Sequence, residues 1–458
     1  MENISLFCGA TLILVWPLSG TIALRNFALG IGSLACLIWI RFARPKITLQ
    51  MAFPILLLLA VPAWLWAHYF FLPTDVAAQL YDLKGTWFRV ILAVILGATL
   101  GLITVRRPKI VIWIWLGMIA LALLTAADYI FEVVNTKQLA ISDFRFPFKY
   151  KSAVVYFLMY PCLLAYSILH FCMLDREPGT LPLRSKLNLG LAAGLLVAIC
   201  WIDFIAAQAL NGVLVAGFMG MILVIVYLKH FFTSPGHKTF PNLVLLIFVV
   251  ALLCVPLKIF WEYDKKYEKK LGNLIADVEI GIQIDRYTQW RKDPIYKDPY
   301  PSRDFSGVSV HGSTYERAAW FVRGAQLLAE NPLGAGFSHL AFRYYMLQEK
   351  PDLDLHKTHS GWLDYALGLG LPGLFFTWLA MAVIGWRSLH AILAKGVQIP
   401  SSIISIATIW ILGGIWLLWW PTEVSEREFI EYLFFVVSFF GTADSPRGPG
   451  KINLVSKN

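Results

Sequence analysis

The chain has 458 residues, of which 58% are hydrophobic and only 15% are charged, and its mean hydropathy is +0.63. This composition excludes an ordinary soluble domain. In a soluble protein the net charge of +10 would suggest nucleic acid as a partner, but here membrane topology explains most of the lysines and arginines. We therefore predict an integral membrane protein with no nucleic-acid partner.

Apolar segments recur almost from end to end of the chain. A helix needs about 20 residues to cross a hydrocarbon core of about 30 Å, and only helices satisfy every backbone group within such a segment. Twelve spans are predicted, and they are Ser5 to Ile22, Ala28 to Ile40, Met51 to Phe71, Phe88 to Thr104, Ile110 to Val133, Ala153 to Met173, Leu187 to Trp201, Ile205 to Tyr227, Leu243 to Phe260, Trp362 to Trp386, Ile403 to Trp420 and Phe429 to Phe440.

The predicted fold is thus an all-α integral membrane protein of about 12 transmembrane helices. Residues 1–261 hold nine helices, residues 262–361 form one large outer loop, residues 362–441 hold three helices, and residues 442–458 form a tail. The loop begins with lysines and aromatics at helical spacing, from Trp261 to Lys270. This pattern suits an interfacial helix on anionic membrane lipids, and equally a solvated helix end.

Lysines and arginines predict the orientation, because cytoplasmic connections carry more of them. With both termini in the cytoplasm, the basic residues of the cytoplasmic connections include Arg41, Arg44, Lys46, Arg106, Arg107, Lys109, Arg176, Arg184, Lys186, Lys229, Lys238, Arg387 and Lys395. One outer connection breaks the trend, since it carries Arg145, Lys149 and Lys151. Such an exception suggests an anionic partner.

A histidine lies where the large loop returns to the membrane. Before it, an amphipathic helix is predicted from Ser313 to Glu330, followed by a tight glycine-rich turn. Arg317 and Arg323 are six residues apart on that helix, so they point to different faces. His359 is the candidate base, because a neutral imidazole accepts a hydroxyl proton near pH 7 and neighbouring arginines would favour its neutral form. The alternative is a capping or interfacial histidine.

These residues resemble the O-antigen ligase family within the O-antigen ligase/polymerase superfamily. The resemblance is carried by Arg317 with Trp320, by the turn Pro332-Leu333-Gly334-Ala335-Gly336, and by His359-Ser360 followed after nine residues by Gly370-Leu371-Pro372-Gly373. It implies a GT-C-like glycosyltransferase of the Gram-negative bacterial inner membrane, acting in lipopolysaccharide biosynthesis. Such an enzyme transfers a glycan from undecaprenyl diphosphate to a sugar hydroxyl of lipid A-core on the periplasmic face. It is expected to invert the anomeric centre, to use neither metal nor cofactor, and to depend on His359 and Arg317.

The departing diphosphate gains negative charge, which fixed cations stabilise. Besides Arg317, the candidates for binding it are Arg286, Arg323, Arg145, Lys149 and Lys151. Family members often carry a second arginine near the outer end of a mid-chain helix, whereas the best counterpart here is Asn211. The role of that arginine is expected to pass to Lys151 or Arg286.

Two further residues are expected to lie behind the site. Asp364 would orient His359 or pair with a loop arginine, although a spacing of five residues does not place it neatly beside His359. His356 lies one helical turn before His359, but we see no further ligands nearby and predict no metal. We expect Gly368, Gly370 and Gly373 to allow close approach of helices.

Three other functions remain open. An O-antigen polymerase shares the donor but uses a second carrier-linked glycan as acceptor, and a protein O-oligosaccharyltransferase uses a serine or threonine. A twelve-span secondary transporter belongs to a different class. Transporters place ionisable groups near the middle of the membrane and often show internal repeats. Here the predicted spans are almost free of charge at their centres and no two halves look alike, which favours an enzyme.

Overall fold

A computed structural model describes residues 1–18, 20–108, 111–137, 147–148, 150–173, 183–233, 240–263, 265, 273–292, 300–302, 309–353, 355–393, 399–423 and 426–444. In chain order the helices are α1 (Glu2–Val15), α2 (Ile22–Ala43), α3 (Leu49–Phe71), α4 (Val76–Asp82), α5 (Phe88–Arg106), α6 (Val111–Thr136), α7 (Lys151–Met173), α8 (Leu183–Ala206), α9 (Leu210–Thr233), α10 (Phe240–Tyr263), α11 (Leu274–Gly281), α12 (Gly312–Glu330), α13 (Ala341–Glu349), α14 (Gly361–Leu393), α15 (Ile399–Leu418) and α16 (Arg427–Ala443). A π-helical turn (Leu83–Trp87) joins α4 to α5, and a 3₁₀ turn (Gln289–Arg291) precedes α12.

Among the described residues, eight helices are long and apolar enough to cross a membrane. They are α2, α3, the continuous stretch Val76–Arg106, α6, α7, α8, α9 and α14, while α1 and α15 contain shorter apolar stretches. Pairing of extended backbone within these ranges is limited to two isolated bridges, Leu18 with Phe148 and Ser302 with Ser309. The prediction of an all-α membrane protein is confirmed, and the count of twelve spans stays a prediction.

Each of the twelve predicted spans overlaps a helix, but the first one was wrong at its end. We predicted Ser5 to Ile22, whereas α1 ends at Val15 and Ile22 already begins α2. Pro17 and Gly20, which has a φ of 78°, interrupt the helix. The Thr21 hydroxyl then closes the turn by donating to the carbonyl oxygen of Val15 at 2.8 Å.

Two helices form the centre of the membrane bundle. Almost every described residue of α7 is buried, and so is α16 from Phe429 to Ala443. Helix α16 lies directly against α5, where a Cβ added to Gly97 would collide with the carbonyl of Phe435. Small residues allow such close backbone approach between membrane helices. This contact fixes the position of α16 within the bundle.

A second core lies outside the membrane spans, around α11, α12 and α13. Tyr315 on α12 donates to the carbonyl oxygen of Tyr287 at 2.8 Å and accepts from the backbone N–H of Trp290 at 3.2 Å. The indole N–H of Trp320 donates to the carbonyl oxygen of Trp290 at 3.1 Å. Leu363 on α14 belongs to the same core. The outer core therefore holds α12 in a fixed position against the first turn of α14.

The glycine-rich turn at 332–336 interlocks with α14. Gly370, at φ 71° and ψ 177°, interrupts the helical path of α14. The backbone N–H of Leu371 then donates to the carbonyl oxygen of Pro332 at 2.7 Å, and an added Cβ at Gly370 would collide with the Leu333 carbonyl. We expected the glycines of this motif to admit a helix. The neighbour at Gly370 is a turn instead, because the broken helix exposes backbone groups that a turn can bond.

Some predicted segments lie outside the described residues. Positions 264 and 266–270 of the interfacial segment are among them, as are Arg145, Lys149 and the tail from residue 445 onward.

Candidate active site

A cleft opens at one end of the bundle, where the segment before α14, the connection between α15 and α16, and α12 meet. Its volume is about 430 Å³, which is within the range of small-molecule sites. The residues that line it are Lys292, Trp320, His339, Leu340, Leu355, His356, Lys357, His359, Glu423 and Glu426. The predicted base, His359, is thus part of an open cavity.

Two neighbours hold the imidazole of His359. Its Nδ1 lies 2.9 Å from Oε2 of Glu423, and its ring stacks on the indole of Trp320 with the centroids 5.3 Å apart and the planes inclined by 20°. Among the described residues, Nε2 has no hydrogen-bond partner. A carboxylate at Nδ1 favours the neutral tautomer with its hydrogen on Nδ1, which leaves Nε2 able to accept a proton. The geometry is that of a carboxylate-oriented base.

Lys357 bridges the two carboxylates of this cleft. Its ammonium group bonds Oε1 of Glu423 at 2.5 Å and also Oε1 of Glu426. Burial raises the pKa of Glu423, but the hydrogen bonds and charges of His359 and Lys357 outweigh burial and hold that pKa at about 2. Burial lowers the pKa of Lys357, yet the two carboxylates more than offset this and raise it well above its usual value. Glu423 is therefore anionic and Lys357 cationic at neutral pH.

The backbone at His359 is strained and held from behind. His359 has a φ of 62°, in the left-handed region that non-glycine residues rarely adopt. The residue before it, Thr358, donates its backbone N–H and its hydroxyl to Oδ1 of Asp364, both at 2.8 Å. We expected Asp364 to orient His359 or to pair with an arginine. It acts one residue away, by fixing the backbone that carries the histidine.

The segments at 357–362 and 419–423 are joined along their length, and we call this pairing the clasp. The backbone N–H of Gly361 donates to the carbonyl oxygen of Thr422 at 2.9 Å, and that of Trp362 donates to Trp419 at 3.2 Å. Asn211, which stands where a second arginine was expected, donates its side-chain amide to the Pro421 carbonyl. Asn211 thus supports the segment that carries Glu423.

Arg317 lies on α12, one turn before Trp320. It is exposed to solvent, yet enough protein surrounds it that desolvation lowers its pKa, while the charges of Glu423 and Glu316 act in the opposite direction. Glu423 thus attracts both residues that the motif predicted, His359 and Arg317. We expected neighbouring arginines to favour the neutral imidazole, and the charged group in contact with the ring of His359 is a carboxylate.

The other predicted cations occupy different places. Arg323 pairs with Glu330 at 3.0 Å and also with Glu349, while the guanidinium of Arg286 lies over the Tyr287 ring at 5.2 Å. Lys151 begins α7. Within the described part of the chain these three do not line the cleft, whereas His356 does. Arg145 and Lys149 lie outside the described residues.

Among the side chains that the structure describes, three or more His, Cys, Asp or Glu groups never come together as a metal site.

Sequence analysis did not predict four charged residues of the cleft, namely Lys292, Lys357, Glu423 and Glu426. A signal for the glutamates was present, because the aromatic pair and proline Trp419-Trp420-Pro421 are typical of the end of a membrane span and carboxylates follow them at once. Topology accounts for cations in connections but places little constraint on carboxylates. Topology therefore does not explain Glu423 and Glu426, and their presence in that connection indicated a different role.

In comparisons with known proteins, no family model and no curated protein matches the chain.

Proposed function

We propose that the protein is an O-antigen ligase that transfers a glycan from undecaprenyl diphosphate to a sugar hydroxyl of lipid A-core at the periplasmic face of a bacterial inner membrane. The observation that carries the proposal is the imidazole of His359, held between Glu423 and Trp320 in an open cleft at the end of the bundle. A base held in this way suits the activation of a hydroxyl.

In the proposed reaction the acceptor hydroxyl oxygen attacks the anomeric carbon of the donor glycan, and its proton passes to Nε2 of His359. The bond between that carbon and the diphosphate oxygen breaks, and the diphosphate leaves with the electron pair, so the anomeric centre inverts. Glu423 stabilises the imidazolium that forms. Arg317 would donate to the diphosphate oxygens, whose charge grows in the transition state. Positioned base catalysis of this kind contributes about 100- to 10,000-fold in rate.

The position of the cleft supports transfer from a lipid carrier. The carrier's hydrocarbon chain lies in the bilayer, so its diphosphate lies at the membrane boundary. The segment that leads into α14 and the connection that follows α15 both line the cleft. The charged groups of the cleft gather at this end of the bundle rather than at mid-membrane, which supports an enzyme over a transporter.

The test is reconstitution of the purified protein in lipid vesicles with a defined polyprenyl diphosphate glycan and lipid A-core. We expect His359→Gln and Arg317→Ala each to lower transfer at least about 100-fold. The matched control is Arg323→Ala on the same helix, which removes ion pairs outside the cleft and should keep transfer close to wild type. Near wild-type transfer by folded His359→Gln protein would remove the histidine from the reaction.

The same assay separates the related enzymes. A polymerase would extend a second carrier-linked glycan in the absence of lipid A-core, and a protein oligosaccharyltransferase would glycosylate a serine- or threonine-containing peptide. We expect product with lipid A-core alone.

Transfer is also expected to persist when the reconstituted protein is assayed with EDTA, because His359, Arg317 and Lys357 would supply the base and the cations. Loss of transfer on chelation, with recovery on adding one particular divalent ion, would contradict this expectation.

A further inference from the structure

The contact between His359 and Glu423 raises a difficulty for a base. An unbalanced carboxylate beside an imidazole favours the protonated ring, which cannot accept a proton. The carboxylate of Glu423 lies 2.9 Å from Nδ1 and is ionised at neutral pH. A working base at this position therefore needs a counter-charge on Glu423.

Lys357 is placed to supply that charge. Its ammonium group bonds Oε1 of Glu423 while His359 faces Oε2, so the cation and the imidazole share one carboxylate through different oxygens. Lys357 also bonds Glu426, and its side chain is 11% exposed, which limits screening by water. Among the described residues, Lys357 is the cation that lies within ion-pair distance of both Glu423 and Glu426.

Other charged and titratable groups lie in or near the cleft, and one of them, Arg317, also interacts with Glu423 by charge. Arg317 and Lys292 approach from α12 and the turn before it, and Lys292 pairs with Glu316 at 3.3 Å. His339 approaches from the turn before α13, with Nδ1 3.8 Å from Glu426. His356 lines the cleft, and Asp364 from α14 bonds Thr358. Of the cations in this group, Lys357 is the one that contacts the Glu423 carboxylate directly, at 2.5 Å.

We propose that Lys357 is a positioning residue that orients Glu423 and offsets its charge, so that His359 is neutral and able to accept a proton at neutral pH. The inference rests on the proposed function, in which His359 is the base. It gives the bridging lysine a role in tuning proton transfer, in addition to holding the two segments of the clasp together.

The experiment measures how the reactivity of His359 toward diethyl pyrocarbonate depends on pH. This reagent modifies the neutral imidazole, and mass spectrometry of the peptide that contains His359 reports the modified fraction. The full-length protein is used in lipid nanodiscs without substrate. The midpoint is the pH at which His359 reacts at half its maximal rate. In Lys357→Met this midpoint should move to higher pH by about one unit, because Glu423 then favours the protonated ring. In Glu423→Gln it should move to lower pH.

Two variants separate charge from structural damage. Lys357→Arg keeps the charge and should keep the wild-type midpoint, and the double variant Lys357→Met/Glu423→Gln should return toward it because both charges are gone. Lys84→Met removes an exposed lysine elsewhere at the outer end and should change nothing. If Lys357→Met does not fold, Lys357→Gln removes the same charge and keeps a hydrogen-bond donor. An unchanged or lowered midpoint in a folded variant without the Lys357 charge would overturn the proposal.

The measurement can fail independently of the proposed function, because it needs neither donor nor acceptor. If the midpoint shifts in Lys357→Met but the wild-type protein transfers no glycan, the role of Lys357 stands and the ligase proposal is overturned. Transfer by a wild-type protein whose midpoint does not depend on Lys357 would overturn the role of Lys357 alone. Where both hold, the acidic limb of the pH profile for transfer should move to higher pH in Lys357→Met.

Discussion

At the scale of single residues, Glu423 links most of the charged groups of the cleft. It contacts His359 through one oxygen and Lys357 through the other, and it attracts Arg317. Its side chain is 26% exposed, so these partners act on a carboxylate that water only partly screens. The ionised form is consequently a source of stability as well as a part of the proposed mechanism.

This gives a prediction for stability against pH. The pKa of Glu423 is about 2 in the folded protein and near 4.5 in an unfolded chain, so its contribution is fully present above about pH 4.5 and is lost as the pH falls toward 2. We expect Glu423→Gln to lower the unfolding temperature at pH 6 and to converge with wild type as the pH approaches 2. The measurement is thermal unfolding in detergent at several pH values. A difference that grows on acidification would contradict the assignment.

At the scale of elements, the interruption of α14 at Gly370 brings the glycine turn and the helix together. The turn is also held from the other side, where the carbonyl oxygen of Gly334 lies 3.1 Å from Nε2 of His68 on α3. The Asp82 side chain accepts from the backbone N–H of Ser338 at 2.7 Å, just before His339 in the cleft. The turn thus connects α3 and α4 with the cleft.

We predict that Gly370→Ala destabilises the protein by about 2 kcal/mol or more, because the positive φ is strained for alanine and the added Cβ collides with the Leu333 carbonyl. The matched control is Gly385→Ala in the same helix, where an added Cβ meets nothing within 4 Å. That change should be neutral or stabilise the protein by up to about 1 kcal/mol. Comparable unfolding temperatures for the two variants would show that the interruption carries no strain.

Elements were predicted from sequence more completely than the site was. Lipid forces an apolar segment into a helix whatever its detailed sequence, and each of the twelve predicted segments overlaps a described helix. The end of α1 was misplaced because the apolar run continues through Pro17, where the helix stops. Helix-breaking residues such as Pro17 determine where a helix ends within an apolar segment.

The site depended on partners that are distant in the chain. His359 and Arg317 were found because motifs place them, but Lys357 and Glu423 are 66 residues apart and meet only when α14 and α15 pack together. No periodic pattern marks such a pair. Arg323 was predicted to bind diphosphate, yet Glu330, seven residues later on the same helix, takes its charge. Composition supplies the charges, and packing decides which of them are paired.

At the scale of the whole molecule, the basic connections predict that the cleft faces away from the cytoplasm. We expect Ser313→Cys, at an exposed position on α12, to react with a membrane-impermeant maleimide in intact spheroplasts. Lys46→Cys, in the exposed connection between α2 and α3, should react only after permeabilisation. Both belong in a background with the exposed Cys254 replaced by serine. The reverse labelling pattern would invert the topology and move the cleft to the cytoplasmic face.

The clasp has a consequence for how the protein is made. It joins a segment before α14 to one after α15, so it closes only when both helices are in place. Synthesis proceeds from the N-terminus, and a chain still attached to the ribosome therefore carries His359 before Glu423 has been translated. The histidine acquires its carboxylate late in membrane insertion, so the cleft is completed only when synthesis of the membrane helices is nearly finished.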